Sequence, residues 1–366
     1  MRFYSTRAQI SSGYPVRQRV SIGGMISQRA TDPHPAGSPS WRPDILGAGY
    51  EQAELTLGKD PDTDKHIRAV VVRATAGNRR ADPRKPALLW IHGMSDYFFQ
   101  THVAEFFTSR GYAFYAIDLR RCGRARTRGQ RWHYTRDMAN YFPELTAALE
   151  IAADGHAGVV PIAHSTGGLI APLWADYLRR EDPEYHAKLR GMILNSPWLD
   201  LQFNPVLVKL ARPLINVFGK WAPLIPLPAG DLGAYGQSIH TSQHGEWDFD
   251  TDKKPLGGHR KYLGWIRAVD LAQRQIHSGH VDTGVPTLTL ASSHSYLGKD
   301  YTPAADTADT VLDVEQIRRW APRLSRQSEV KTIDGARHDV FLSEPFAREV
   351  AFKTCAEWLD ALPGRP

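Results

Sequence analysis

Short runs of consecutive apolar residues alternate with amphipathic stretches along most of the chain. Residues 51–57 and 67–73 read as two strands joined by a polar loop, the second rich in β-branched side chains. Further strands are predicted at 87–91, 112–117, 159–163, 192–195, 286–291 and 330–333. Between them, residues 101–110, 137–151 and 168–180 carry apolar side chains at helical spacing. Strands that are apolar on every residue must be buried on both faces. Their alternation with helices predicts a mostly parallel central sheet with helices on both sides, an α/β fold.

The alternation breaks once, over residues 202–284, where no strand pattern stands between two strands that look central. This predicts an inserted helical cap on a core made of residues 46–201 and 285–366. Within it Leu207, Leu210, Ala211, Leu214, Phe218 and Trp221 fall on one side of a helix, and Lys209, Arg212, Asn216 and Lys220 on the other. Pro213 is expected to kink or split that helix. The apolar side is expected to favour an apolar ligand, and the cationic side to meet an anionic membrane surface. Residues 1–45 are rich in Ser, Gly, Pro and Arg without a period, and read as a flexible extension. Their acid-free start also matches an organelle transit peptide in composition.

Composition narrows the classes. Of 366 residues 42% are hydrophobic, too many for a disordered chain. No apolar run reaches the ~18 residues of a membrane span. Two cysteines, Cys122 and Cys355, make no disulfide framework and point to a reducing, cytoplasmic setting. Cys122 reads as a bystander and Cys355 as core. The net charge is +6, of which five arginines in residues 1–31 supply +5, leaving +1 for the rest. That distribution speaks against a nucleic-acid partner, which needs its basic face on the folded domain. A second basic stretch, residues 120–136, holds seven arginines interleaved with Trp132 and Tyr134. Nucleic-acid stacking or a carboxylate contact would suit it. A solvated or salt-bridged structural loop is the plainer reading.

The chemistry concentrates in three segments. Val159-Val-Pro-Ile-Ala-His-Ser165-Thr-Gly-Gly168 runs from a buried strand through a serine flanked by small residues into a helix. A tight strand–turn–helix that lifts a serine out of the backbone is a nucleophile elbow. The usual G-x-S-x-G has Ala163 in its first glycine position here, and Pro172 sits unusually early in the helix. Leu88-Leu-Trp-Ile-His-Gly-Met-Ser95 ends a second buried strand. Its Met94 N–H and the Thr166 N–H after the serine are the candidate oxyanion donors; His92 reads as structural. Asp334-Gly-Ala-Arg-His338 ends the last strand in a histidine, the base a serine hydroxyl needs. The acid should follow the strand at 286–291, where Asp300, Asp306, Asp309 and Asp313 all satisfy the order nucleophile, acid, histidine.

With these elements in place the chain resembles the α/β-hydrolase superfamily, and within it the serine aminopeptidase and monoacylglycerol lipase-like (lysophospholipase-like) branch. The resemblance covers about residues 46–362. It rests on His92-Gly93, Asp118-Leu-Arg-Arg-Cys-Gly-Arg124, Ala163-His-Ser-Thr-Gly167, Ala308-Asp309-Thr-Val-Leu-Asp313 and Ala336-Arg-His338. It implies an α/β-hydrolase fold with a helical cap over the site. It also implies a Ser-Ala-Asp-type segment at the acid, which selects Asp309, with Asp313 second. The extra loop between Ser293 and Thr307 departs from the family pattern. The activity implied is hydrolysis of monoacylglycerol-like, lysophospholipid-like or other apolar acyl esters through Ser165, Asp309 and His338. Amide or peptide cleavage on the same residues and a non-catalytic binding protein are the alternatives. No cofactor motif is present: no G-x-G-x-x-G follows a strand and no phosphate-binding G-x-x-x-x-G-K-[ST] occurs. His240 and His244, with Glu246 and Asp248 nearby, and His277 with His280 have spacings that metal sites use. They are read as ordinary cap histidines, with no metal expected.

Overall fold

A computed structural model describes residues 39–63, 65–202, 205–227 and 232–362. The proposed transit segment lies outside these residues. One mixed sheet organises them. Its strands are β1 (Arg42–Pro43), β2 (Tyr50–Lys59), β3 (His66–Ala74), β4 (Ala87–Ile91), β5 (Phe114–Asp118), β6 (Val159–His164), β7 (Met192–Asn195), β8 (Thr287–Ser292) and β9 (Ser328–Ile333). They lie in the order β1-β2-β3-β5-β4-β6-β7-β8-β9. The β1–β2, β2–β3 and β3–β5 pairs are antiparallel and all later pairs parallel.

The apolar runs of β4, β5, β6, β7 and β8 are buried on both faces because the pleat sends neighbours opposite ways, whereas the edge strand β9 is buried only at Ile333. In β4, Ala87, Leu89 and Ile91 join one core; Leu88 and Trp90 join the other. The first core is closed by α3 (Phe142–Ala153), α4 (Thr166–Glu181), α8 (Leu263–His277) and α9 (Val314–Trp320). The second is closed by α2 (Thr101–Thr108) and α10 (Pro345–Asp360), where Cys355 is buried. Helix α4 continues through Pro172.

The arginine-rich loop after β5 is built inward. Arg120 pairs with Glu144 at 2.5 Å and Asp60 at 3.4 Å, and Arg121 with Asp60. Arg124 bridges Asp44 at 2.7 Å and Asp118 at 2.8 Å. A buried cation needs such partners, and three of the seven arginines are thereby committed to structure. Cys122 lies buried among them. The Asp44 contact also corrects the expected extension over 1–45. Residues 42–44 belong to the sheet edge and its ion pairs, so any extension ends before them.

Between β7 and β8 stand α6 (Pro205–Trp221), α7 (Gly233–Ile239) and α8, without a sheet strand among the described residues. Helix α6 meets α8 through Arg212, whose Nε lies 2.8 Å from Asp270 Oδ1, and through Gly219, which lies against Arg267, while Val208 of the same helix is buried in the core. Its apolar side faces outward. Nine of the twelve large hydrophobic side chains exposed among the described residues lie in 206–225, Trp221 at 79% exposure. This reverses the usual arrangement of an amphipathic surface helix. Lys209 and Lys220 are exposed at its border. Among the described residues no helix is long and apolar enough to cross a membrane.

Candidate active site

Ser165 ends β6 and opens α4 at φ +52° and ψ −114°. A non-glycine residue holds this backbone only where its surroundings impose it. Here they do. The Ser165 N–H donates to the Asn195 carbonyl at 3.0 Å, and the Trp198 N–H to the Ser165 carbonyl at 3.0 Å. A Cβ at Gly167 would lie 2.6 Å from the His92 carbonyl oxygen and 2.8 Å from that of Ile91. Only glycine fits where the turn crosses β4. Two residues before the serine, the Ala163 methyl is fully buried without such a clash.

The loop after β9 brings His338 to this serine, with Nε2 3.0 Å from Ser165 Oγ. Its Nδ1 lies 2.9 Å from Asp309 Oδ2. The other carboxylate oxygen of Asp309 accepts the Val311 and Leu312 N–H groups, each at 2.8 Å. A carboxylate accepting from Nδ1 leaves the other ring nitrogen, Nε2, facing the Ser165 hydroxyl. All three side chains are buried, Ser165 least. The long loop after β8 leaves the sheet and comes back: Asp309 bridges to Ser295, and its N–H donates to the His294 carbonyl at 3.0 Å. Asp309 thus stands beside the end of β8.

The other three aspartates are placed elsewhere. Asp300 is exposed. Asp306 pairs with Arg337 at 3.0 Å, and Asp313 caps α9 by accepting the Glu315 N–H at 3.0 Å. His92 accepts the Leu119 N–H at Nε2 and contacts the Gly93 carbonyl through Nδ1, which ties β4 to β5. Its neighbour Gly93 packs on the serine, since a Cβ there would sit 3.0 Å from that of Ser165. Met94 lines the cavity beside Ser165, and Thr166 is the first residue of α4. The cap histidines are occupied: His240 with Ser242 and the Phe249 carbonyl, His277 with the Leu199 carbonyl. His244 stacks on Tyr301, and exposed His280 bonds Ser278.

Residues that the sequence did not single out complete the site. Asp339, fully buried, accepts from Asn195 Nδ2 at 2.7 Å, Gln100 Nε2 at 3.2 Å and the Phe341 N–H at 3.1 Å. These bonds pin the loop that carries His338. His164 lies behind the serine, its ring 4.8 Å from that of His338. Burial depresses its pKa to about 4, so it stays neutral beside His338 at pH 7. A cavity opens over Ser165 and His338. Leu232, Ile239, Phe249, Leu256 and Val311 give it an apolar wall, and Asp96, Tyr235 and Lys254 its polar atoms. The Tyr235 ring meets His338 edge to face at 5.5 Å.

A sheet of this order, with a serine on the turn after a central strand, defines the class of α/β hydrolases. The chain belongs to the serine aminopeptidase S33 family, whose pattern matches residues 82–345. No curated protein matches the sequence. Among solved structures it is similar to a soluble variant of monoglyceride lipase from Saccharomyces cerevisiae, bound to a substrate analogue. Identity is 16%, over 89% of this chain and 95% of that one, with a TM-score of 0.57. It is also similar to the monoacylglycerol lipase of Paleococcus ferrophilus, at 19% identity over 76% and 95% with a TM-score of 0.53. A putative hydrolase from Agrobacterium vitis matches at 14% identity over 85% and 99%, TM-score 0.53. The protein is therefore a hydrolase of this fold.

Proposed function

We propose that the protein hydrolyses carboxylic esters of apolar acyl groups through a Ser165–His338–Asp309 triad. The observation that carries this reading is the hydrogen-bond chain itself, 3.0 Å and 2.9 Å long, on a strained turn facing an apolar-walled cavity. Ser165 Oγ attacks the carbonyl carbon while His338 Nε2 takes its proton. Asp309 holds the imidazole with its proton on Nδ1 and stabilises the imidazolium. The oxyanion is received by the N–H groups of Met94 and Thr166. His338 then protonates the leaving alcohol, and a water repeats the sequence on the acyl-enzyme. Residues 202–284 act as the cap whose side chains choose the acyl group.

The outward side of α6 supports contact with an anionic lipid surface. No acidic residue stands between Asp200 and Asp231, so Lys209 and Lys220 are uncompensated along that stretch of sequence. An apolar-tailed ester would be drawn from that surface.

The test is labelling by a fluorophosphonate probe beside Ser165→Ala, followed by a p-nitrophenyl ester chain-length series. Labelling lost in the variant supports the reading, and the chain-length optimum sizes the cavity. An unlabelled, well-folded wild type overturns it in favour of a binding protein. The family is named for a peptidase, so a matched ester and anilide pair belongs in the same series; faster anilide cleavage would reassign the substrate class.

A further inference from the structure

Two charged side chains inside the cavity have no part in that chemistry. Asp96 follows the Met94 loop, and Lys254 reaches in from the segment between β7 and β8. Lys254 Nζ lies 2.8 Å from Asp96 Oδ1. They are 2% and 8% exposed. The ammonium sits 5.6–5.8 Å from the ring centres of Phe99, Tyr235 and Phe249. A buried ion pair that serves structure alone usually has its remaining oxygens and protons satisfied. This one does not. Asp96 Oδ2 is buried with no hydrogen-bond partner among the described residues, and the Tyr235 hydroxyl on the same cavity has none. Lys254 Nζ has three N–H groups and one hydrogen-bond partner there, Asp96.

We propose that Asp96 and Lys254 form a specificity subsite for a hydroxyl group on the substrate. The proposal rests on the ester-hydrolase reading of Ser165 and adds a polar requirement to it. The occupant must donate to Asp96 Oδ2 and accept from Lys254 Nζ, which one hydroxyl does with one atom. A carboxylate would accept from Lys254 but face the Asp96 charge. An ammonium would donate to Asp96 but face Lys254. The pair is neutral overall, so it compensates neither charge for leaving water. An alkyl group in the same place would leave both unmet groups in a dry site. The preferred ester is thus apolar along most of its length and hydroxylated at one point.

Two matched pairs test this, each replacing a hydroxyl by a methyl. Hydroxyethyl octanoate against propyl octanoate places it on the alcohol, and ethyl β-hydroxybutyrate against ethyl isovalerate on the acyl group. The ratio of kcat/KM within each pair is measured for wild type, Asp96→Asn and Lys254→Met. Binding of the same esters is measured on Ser165→Ala protein. Wild type is expected to favour the hydroxylated member of one pair by about tenfold or more, and each variant to bring that ratio near unity. A wild-type ratio near unity in both pairs overturns the proposal without any variant having to fold. So does a preference that survives both substitutions. Selective binding by Ser165→Ala without wild-type turnover would uphold the subsite and overturn ester hydrolysis. Turnover without selectivity would do the reverse.

Discussion

Asp309→Asn is the sharpest perturbation, because the backbone dictates how the amide must sit. In the wild type one carboxylate oxygen accepts two N–H groups, from Val311 and Leu312 at 2.8 Å, and the other faces His338. An asparagine keeps the two backbone bonds only with its carbonyl oxygen in the first place. Its NH₂ then points at His338 Nδ1 and donates. That forces the imidazole proton to Nε2, where it faces Ser165 and removes the base. A serine hydrolase with the wrong histidine tautomer loses about 10⁴-fold in kcat, or about 5 kcal/mol of transition-state stabilisation. The variant is isosteric and keeps its backbone bonds, so its melting temperature should stay within a few degrees of wild type. The assay is steady-state hydrolysis of a short p-nitrophenyl ester, with thermal unfolding as the control. Asp313→Asn, which alters only the α9 cap, should keep activity within a few-fold. Asp309→Asn retaining more than about a tenth of wild-type kcat would refute the assignment. So would Asp313→Asn falling as far with normal melting.

Three further outcomes follow from the same geometry. Gly167→Ala places a methyl 2.6–2.8 Å from two carbonyl oxygens that cannot yield; it should lower stability by about 1–3 kcal/mol, and a melting temperature equal to wild type would contradict the packing described. Burial holds the pKa of His133 at about 3 and that of His164 at about 4, below the ~6.5 of an unfolded histidine. The unfolded chain therefore binds more protons as pH falls, and each group should remove about 1.6 kcal/mol of stability between pH 6.5 and 5. Urea unfolding at both values, with His133→Phe flattening the slope, checks this; a flat wild-type profile would argue against both assignments. Leu214→Glu with Phe218→Glu should abolish co-sedimentation with anionic vesicles while leaving hydrolysis of a soluble ester intact, and equal vesicle binding by wild type and variant would remove α6 from lipid contact.

Much of the fold is legible because its cause is local. Apolar runs such as 87–91 and 159–163 are strands for want of any other way to bury every residue. The elbow is legible because a tight turn restricts which side chains stand beside Ser165. Boundaries moved by one or two residues, and the predicted helix over 137–151 begins as a 3₁₀ turn, Met138–Tyr141, before α3. What stayed hidden depends on partners distant in sequence. Nothing within residues 293–313 says that the chain folds back until Asp309 meets Ser295. Helical spacing gave α6 two sides, but Asp270, 58 residues from Arg212, decides which one faces in. Asp96 and Lys254 are 158 residues apart. Each alone looks like an ordinary surface charge, and only their burial together makes a subsite.

The backbone of Ser165 has a consequence for the molecule as a whole. A turn at φ +52° and ψ −114° suits glycine and strains every other residue, by about 1–3 kcal/mol. The strain is matched by packing elsewhere, in the glycine contacts beneath the turn and the bonds to Asn195 and Trp198. The residue proposed to give the site its chemistry is therefore also a weak point in its own scaffold. Relaxing it to Ser165→Gly should give a dead protein that melts higher than the live one. Selection for endurance alone would drift toward that silence, and the serine persists only while turnover is being demanded of it.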